Sequence, residues 1–447
     1  MLRVILTALT LTRAGDGLPV KSPTEVGMSS TRLNAIERVV ERGIKAGGYP
    51  GASVIVGRKG AAVFEKGFGK LSWSESSTAV DAQRTIYDIA SLSKVVGTTT
   101  AIMILYDENK IRLDDPVVNY IPTFGGGDKD KVTIRQLLTH TSGLPAGRDI
   151  WRIAQTPLEA RALVLNTPLE GRPGAQYIYS DLGADVLGLL IEVVSGEPLD
   201  KFLTRRVFEP LGMNETMYRP ADSLRYRIAP TEVTPPRGYP LRGEVHDENA
   251  YALGGVAGHA GLFSTAADLS VFAQMMLNGG EYNGVQIISK PTVELFTSRA
   301  FGHRALGWDT AEGDYGSGRY LGPTAYGHTG FTGTSMWIDP EREMFVILLT
   351  NRVHAARALR PAKVISDVRA DLSDAAVLSV LDGPKLTAGS KAFRADREVG
   401  WNPPPRASRR RHGSSRHHSI ASATSKSRSS TAKKSSSSKK KSSKKSH

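Results

Sequence analysis

Cysteine is absent from this chain of 447 residues, which excludes disulfides, thiolate nucleophiles and Cys-ligated metals. Long apolar runs are missing as well. None approaches the roughly 20 residues that span a bilayer, so no transmembrane segment is expected. Acidic residues are lacking in one place only: from Arg406 to the C-terminus there are 14 Lys and Arg and no Asp or Glu. The remaining 44 bases are matched by 44 acids, so the formal charge of +14 belongs to that tail and the body is electrically neutral. No G-x-S-x-G nucleophile elbow occurs, which removes the α/β-hydrolase arrangement. His246-Asp247-Glu248-Asn249 lacks the helical His spacing and the second cluster of a metal site, so neither metal nor cofactor is implied.

What is present falls into three stretches. Residues 1–20 read either as a short leader, with Arg3 before the apolar run 4–11, or as a frayed N-terminus; the leader reading favours a periplasmic or secreted protein over a cytoplasmic one. Residues 21–385 carry the globular pattern. Capping residues Ser29 and Ser30 precede Leu33, Ile36, Val39, Val40 and Ile44 at helical spacing, ended by Gly47-Gly48. Strand-like runs at 52–56 and 61–66 form a hairpin across residues 57–60, and a second hairpin pairs 334–338 with 344–350. Between them lie helices, including 182–194 and one beginning at a Thr265/Asp268 capping box. Strands at both ends with helices between predict an α+β fold: an antiparallel sheet built from both ends of the chain, flanked by helices, with a mostly helical insertion. Residues 386–447 are a Ser/Lys/Arg-rich segment that cannot bury a core and is expected to be disordered.

The candidate chemistry starts at Ser91-Leu92-Ser93-Lys94. Residues three apart on a helix share a face, so the hydroxyl and the amine can meet. Serine needs a neighbour to take its proton, and lysine can do so if burial lowers its pKa. The tail repeats the pattern by chance at Ser430/Lys433 and Ser436/Lys439, so context decides. Tyr179-Ser180-Asp181 follows the breaker-rich Gly171-Arg172-Pro173-Gly174 and puts a phenol at a helix start. His328-Thr329-Gly330 precedes the late hairpin, where a glycine admits substrate close to the backbone.

Together these three segments resemble the motifs of the serine β-lactamase and penicillin-binding protein superfamily, whose class A form is S-x-x-K, S-D-N and K-T-G. The tyrosine points to the class C-like branch, with its D,D-peptidases and esterases. Residues 137–144 and 254–262 also look familiar, and the resemblance spans roughly residues 25–380. It implies acyl transfer through an acyl-enzyme on Ser91, with Lys94 and Tyr179 sharing the proton and Tyr179, helped by His328, activating water. The backbone N–H groups of Ser91 and Phe331 would hold the oxyanion, each such donor being worth ~3 kcal/mol. Phenolate formation would need Lys94 and His328 nearby. Asp181, Thr329 and Gly330 would meet the substrate, although Asp181 could instead hold Lys94 or cap its helix. Asp181 stands where asparagine is usual and His328 where true β-lactamases carry lysine, so ester, peptide and β-lactam substrates rank with β-lactams last.

Other readings stay open. A penicillin-binding sensor or scaffold without turnover would keep the same motifs, and the basic tail 406–447 suits non-specific contact with anionic polymers or lipids, or no partner at all. His328 could orient Tyr179 or merely satisfy a strand-end hydrogen bond, the first being favoured. His140 and His259, in Gly/Ser/Thr-rich turns, read as structural hydrogen-bonding residues, and Asp114-Asp115-Pro116 as a turn.

Overall fold

The strand Met344–Thr350 is an unbroken apolar run because both of its faces are buried. Val346 and Leu348 join Val54 and Val56 in one core, while Ile347 and Leu349 join Ile55, Met336 and Ile338 in another. The structure is a computed structural model, and it describes residues 17–311, 316–354, 362–384 and positions 386, 393, 394 and 401. The possible leader is therefore almost wholly outside the described residues, and the basic tail 406–447 lies outside them altogether.

Six antiparallel strands form the main sheet, in the order Ala61–Gly69, Gly51–Arg58, Met344–Thr350, Ser335–Asp339, Tyr326–Thr329, Asp309–Thr310. The two ends of the globular sequence meet at its centre, where Ala52 pairs with Thr350 and Arg58 with Met344. The expected hairpins form. The first is tighter than the sequence suggested, turning on Lys59 and Gly60, both at positive φ, with a bulge between Val56 and Gly57. Helices Ala35–Lys45 and Ala362–Leu378 cover one face of the sheet, and the helical insertion covers the other.

Within the insertion, Thr265 caps helix Ala266–Leu277 by accepting from the Asp268 N–H at 3.1 Å. The reciprocal half of the expected capping box is missing, because Asp268 turns away to accept from Thr216 Oγ1 and Glu215 N, both at 2.8 Å. A small three-stranded sheet, Tyr87–Asp88, Leu262–Ser264 and Met217–Tyr218, was not expected. Strands of two or three residues leave no periodicity to read, yet this sheet delivers the chain to Ser91.

Candidate active site

Ala90, directly before Ser91, holds a φ of 48°, unusual for a residue with a side chain. Asp88 secures it by accepting the Ala90 N–H at 2.8 Å. Backbone strain of this kind gathers at functional sites. The helix that follows is not regular: a 3₁₀ turn, Ala90–Leu92, passes into a π-helical turn, Lys94–Thr99, before α-helix Thr100–Asp107. Ser91 and Lys94 nevertheless meet, with Nζ donating to Oγ at 3.1 Å and to the His259 carbonyl at 3.0 Å. The third neighbour of the amine is Asp181, whose Oδ1 lies 2.7 Å away.

That neighbour overturns the expectation of a lysine kept neutral by burial and so able to take the serine proton. Burial does push the Lys94 pKa down, but the charges and hydrogen-bonding groups of Asp181 and Tyr179 outweigh it and raise the pKa above its ordinary value. Lys94 is an ammonium in the resting site. Asp181 is not the helix cap: Ser180 is, accepting from Gly183 N at 3.2 Å, and Asp181 opens helix Asp181–Ser195 with its side chain on Lys94. Asp181 is absent from the cavity wall that Ser91 and Tyr179 help to form.

Tyr179 is set between two imidazoles. His140, itself at a φ of 56°, lies 4.6 Å from the phenol ring and His328 6.0 Å, with Lys94 Nζ 5.0 Å from the ring centre. His140 holds the motif by accepting from Ser180 N at 3.0 Å, while its carbonyl accepts from Ile178 N at 2.9 Å. Burial, with the cations Arg304 and Lys94 nearby, pushes its pKa well down, so it is neutral. His328 is neutral too. Its Nδ1–H donates to the Thr329 carbonyl at 2.8 Å, and burial lowers its pKa to about 4 despite Asp309. Nε2 then carries a lone pair, has no hydrogen-bond partner among the described residues and lies 4.0 Å from Asp309 Oδ2. The expected help of His328 to a phenolate therefore does not come from a positive charge.

The third motif presses against the backbone that carries Ser91. Thr332 Oγ1 donates to the Asp88 carbonyl at 2.8 Å and Thr334 Oγ1 to the Ile89 carbonyl at 3.0 Å. Gly330 lies just past the strand end, its N–H donating to the Thr334 carbonyl at 2.7 Å. A Cβ there would sit 2.0 Å from Thr334 Oγ1 and 2.5 Å from the Ile89 carbonyl. Ser91, Tyr179, His328, Thr329, Gly330 and Phe331 line one cavity of about 640 Å³. The two residues expected to supply oxyanion N–H groups thus border the same space.

Lining residues such as Arg304, Arg352 and Arg369 carried no recognisable sequence signal. The half-exposed Phe331 ring lies 5.8 Å from that of His246, with the Arg352 guanidinium 4.7 Å from its centre. Arg369, from helix Ala362–Leu378, donates through Nη2 to the carbonyls of Gly330 at 2.6 Å and Thr334 at 2.8 Å. Burial, with Arg352 beside it, lowers its pKa to about 9, and no carboxylate among the described residues pairs with it. Arg304 is ion-paired to Asp309 on a further wall.

Comparison with known proteins points to one family. A family model described as Beta-lactamase matches residues 36–369. A protein of Escherichia coli K12, named provisionally as a D-alanyl-D-alanine carboxypeptidase, is 33% identical over 397 residues, covering 79% of this chain and 91% of the relative. Among solved structures, a penicillin-binding protein homologue from Pyrococcus abyssi is 25% identical, with a TM-score of 0.59 over 71% of this chain and 73% of its own. A penicillin-binding protein homologue from Caulobacter crescentus, 22% identical, shares the fold with a TM-score of 0.62 over 79% and 99%. The chain belongs to the Beta-lactamase family and is one of its serine hydrolases.

Proposed function

We propose that the chain is a D,D-carboxypeptidase that forms an acyl-enzyme on Ser91 and releases a C-terminal D-amino acid. The observation that carries this reading is Arg369, a guanidinium on the cavity wall with carbonyl partners and no carboxylate partner among the described residues. With Nη2 committed to those carbonyls, the positive charge and the Nη1 hydrogens remain for the free carboxylate of a peptide C-terminus, which an uncharged ester lacks. The provisional name of the Escherichia coli relative supports the same substrate class, and an extracytoplasmic location would suit it.

In this mechanism Ser91 Oγ attacks the carbonyl of the penultimate residue. Lys94, held as an ammonium, cannot take the hydroxyl proton. Tyr179, as a phenolate whose negative charge Lys94 balances, takes it and becomes the neutral phenol. The oxyanion lies between the N–H groups of Ser91 and Phe331. Tyr179 returns the proton to the departing amine, the C–N bond breaks, and the free D-amino acid leaves. Water then attacks the ester with Tyr179 again as the base, releasing the shortened peptide and restoring Ser91. The neutral His328 ring packs 6.0 Å from that of Tyr179, and Asp181 keeps Lys94 charged.

The test supplies the full chain with a D-Ala-D-Ala peptide, the same peptide amidated at its C-terminus, and a short nitrophenyl ester. We expect D-alanine release from the free acid, at least about tenfold weaker turnover of the amide, and an adduct on Ser91 by mass spectrometry. Ester hydrolysis without D-alanine release would make the chain an esterase instead, and full activity in Ser91→Ala would remove the nucleophile.

A further inference from the structure

The carbonyl that anchors Lys94 belongs to His259, and the surroundings of that residue are unusual. Its Nδ1 lies 2.7 Å from Asp185 Oδ1 and its Nε2 2.8 Å from Asp247 Oδ1. Both ring nitrogens face carboxylate oxygens, so both carry protons and the ring is an imidazolium. The ring is 2% exposed and Asp185 3%. Burying such a group between two acids contributes little net stability compared with an apolar replacement. Its value has to be sought in what it holds still.

Two consecutive carbonyls here receive bonds from one face of the nucleophile helix. Thr98 Oγ1 donates to Gly258 O at 2.6 Å, and Lys94 Nζ, one turn earlier, donates to His259 O at 3.0 Å. The segment cannot slide toward helix Asp181–Ser195, because even a Cβ at Gly258 would meet the Ala184 carbonyl at 1.9 Å. Asp185 on that helix grips His259 twice, through the ring and through its N–H at 3.3 Å. Asp247 reaches it from the other side while also capping helix Glu248–Ala252. The next residue back, His246, stacks on Phe331 and donates its N–H to Asp88 at 2.7 Å. The imidazolium thus ties the helix after the second motif to the segment 246–247, and His246 in turn touches Phe331 and the approach to Ser91.

We propose that His259 is a positioning residue: clamped between Asp185 and Asp247, it fixes the backbone carbonyl on which the Lys94 amine is anchored beside Ser91. The proposal rests on acyl transfer at Ser91 but not on the identity of the acyl donor. A fluorophosphonate probe, which reports serine reactivity without a substrate, therefore tests it separately from the carboxypeptidase reading.

In the full chain, His259→Asn should slow the labelling rate constant of Ser91 by about 10²-fold, the scale of a misplacement near one ångström, with the probe's binding constant within about twofold. Asp247→Asn, at the more exposed end of the clamp, keeps a hydrogen bond while removing charge. It should slow labelling by about tenfold with a melting temperature close to that of the parent, and it keeps the test open if His259→Asn does not fold. Crystals of a folded His259 variant should show its residue-259 carbonyl beyond hydrogen-bond reach of Lys94. Parental labelling per folded molecule in Asp247→Asn, or an unmoved carbonyl in a folded His259 variant, would overturn the proposal.

Discussion

Lys94 Nζ and Asp181 Oδ1 are 2.7 Å apart, yet Oδ1 has no aligned hydrogen bond among the described residues. The contact is an ion pair, and what it supplies is charge. Lys94 directs its hydrogen bonds at Ser91 and His259, and the carboxylate keeps it protonated while it does so.

Replacing Asp181 by Asn should therefore move the pH profile before it moves the structure. A lysine whose pKa is raised by a carboxylate falls back when that carboxylate becomes an amide, so the alkaline limb of Ser91 acylation should shift to lower pH. The stability linked to the raised pKa is fully present below the ordinary lysine pKa of ~10.4 and is lost only as pH rises above it. The thermal cost at neutral pH should accordingly be at or below the low end of the roughly 3–5 kcal/mol seen for wholly buried pairs, since Asp181 is about a third exposed. Rates from pH 6 to 11 with parallel melting curves check both statements.

His328 gives a prediction of opposite sign. Its folded pKa, about 4, lies below the ~6.5 of an unfolded histidine, so the unfolded chain binds the extra proton first. Stability should decline as pH falls from about 6.5 toward 4 and be indifferent to this group above that window. Activity that needs the Nε2 lone pair should hold through pH 6 and fail near 4. An inflection of kcat at 6.5 that disappears in His328→Asn would contradict the neutral assignment.

Gly330→Ala asks whether the third motif must touch the nucleophile backbone. The added methyl meets a backbone carbonyl, Ile89 O, as well as Thr334 Oγ1. Relief requires a shift either of the backbone at residues 89–91 or of the turn that carries Phe331. Overpacking of this kind costs about 1–3 kcal/mol, and displacement of one oxyanion donor about 10²–10³ in kcat. We expect activity to fall by far more than the melting temperature explains.

The tail is expected to be separable from the chemistry. All described residues lining the cavity lie between Ser91 and Arg369, and the 14 unopposed cations begin at Arg406. Truncation after Asn402 should leave kcat/KM on small substrates unchanged while abolishing salt-sensitive retention on a polyanion such as heparin. A large loss of peptidase activity at low ionic strength would show instead that the tail serves catalysis.

Sequence legibility followed the length of the pattern that carries each feature. The central strands and their hairpins were readable because apolar runs and breakers recur along them, and Ser91, Lys94, Tyr179 and His328 because family motifs frame them. The protonation states were not readable. Lys94 departs from the neutral amine that burial alone would give, and His328 supplies no charge to a phenolate, because burial and the positions of Asp181 and Asp309 decide them. Arg369 illustrates the remaining gap. It sits in helix Ala362–Leu378 beside Val364, Ile365, Val368 and Leu372, all in the core, and nothing in that run tells which way its guanidinium turns.

Arg369→Lys tests the residue that the sequence hid. A lysine keeps the charge but has three donors on one nitrogen, so it cannot bridge the carbonyls of Gly330 and Thr334, as Nη2 does, while also turning two more donors, as Nη1 can, to a carboxylate. We expect KM for a D-Ala-D-Ala peptide to rise about 10-fold or more, equivalent to about 1.4 kcal/mol for each factor of ten. KM for a neutral nitrophenyl ester should change by less than about twofold, because nothing in that substrate needs the fork. Equal increases for both substrates would mean that Arg369 only braces the turn carrying Phe331, and the carboxylate-binding role would fall with the argument for a peptide substrate.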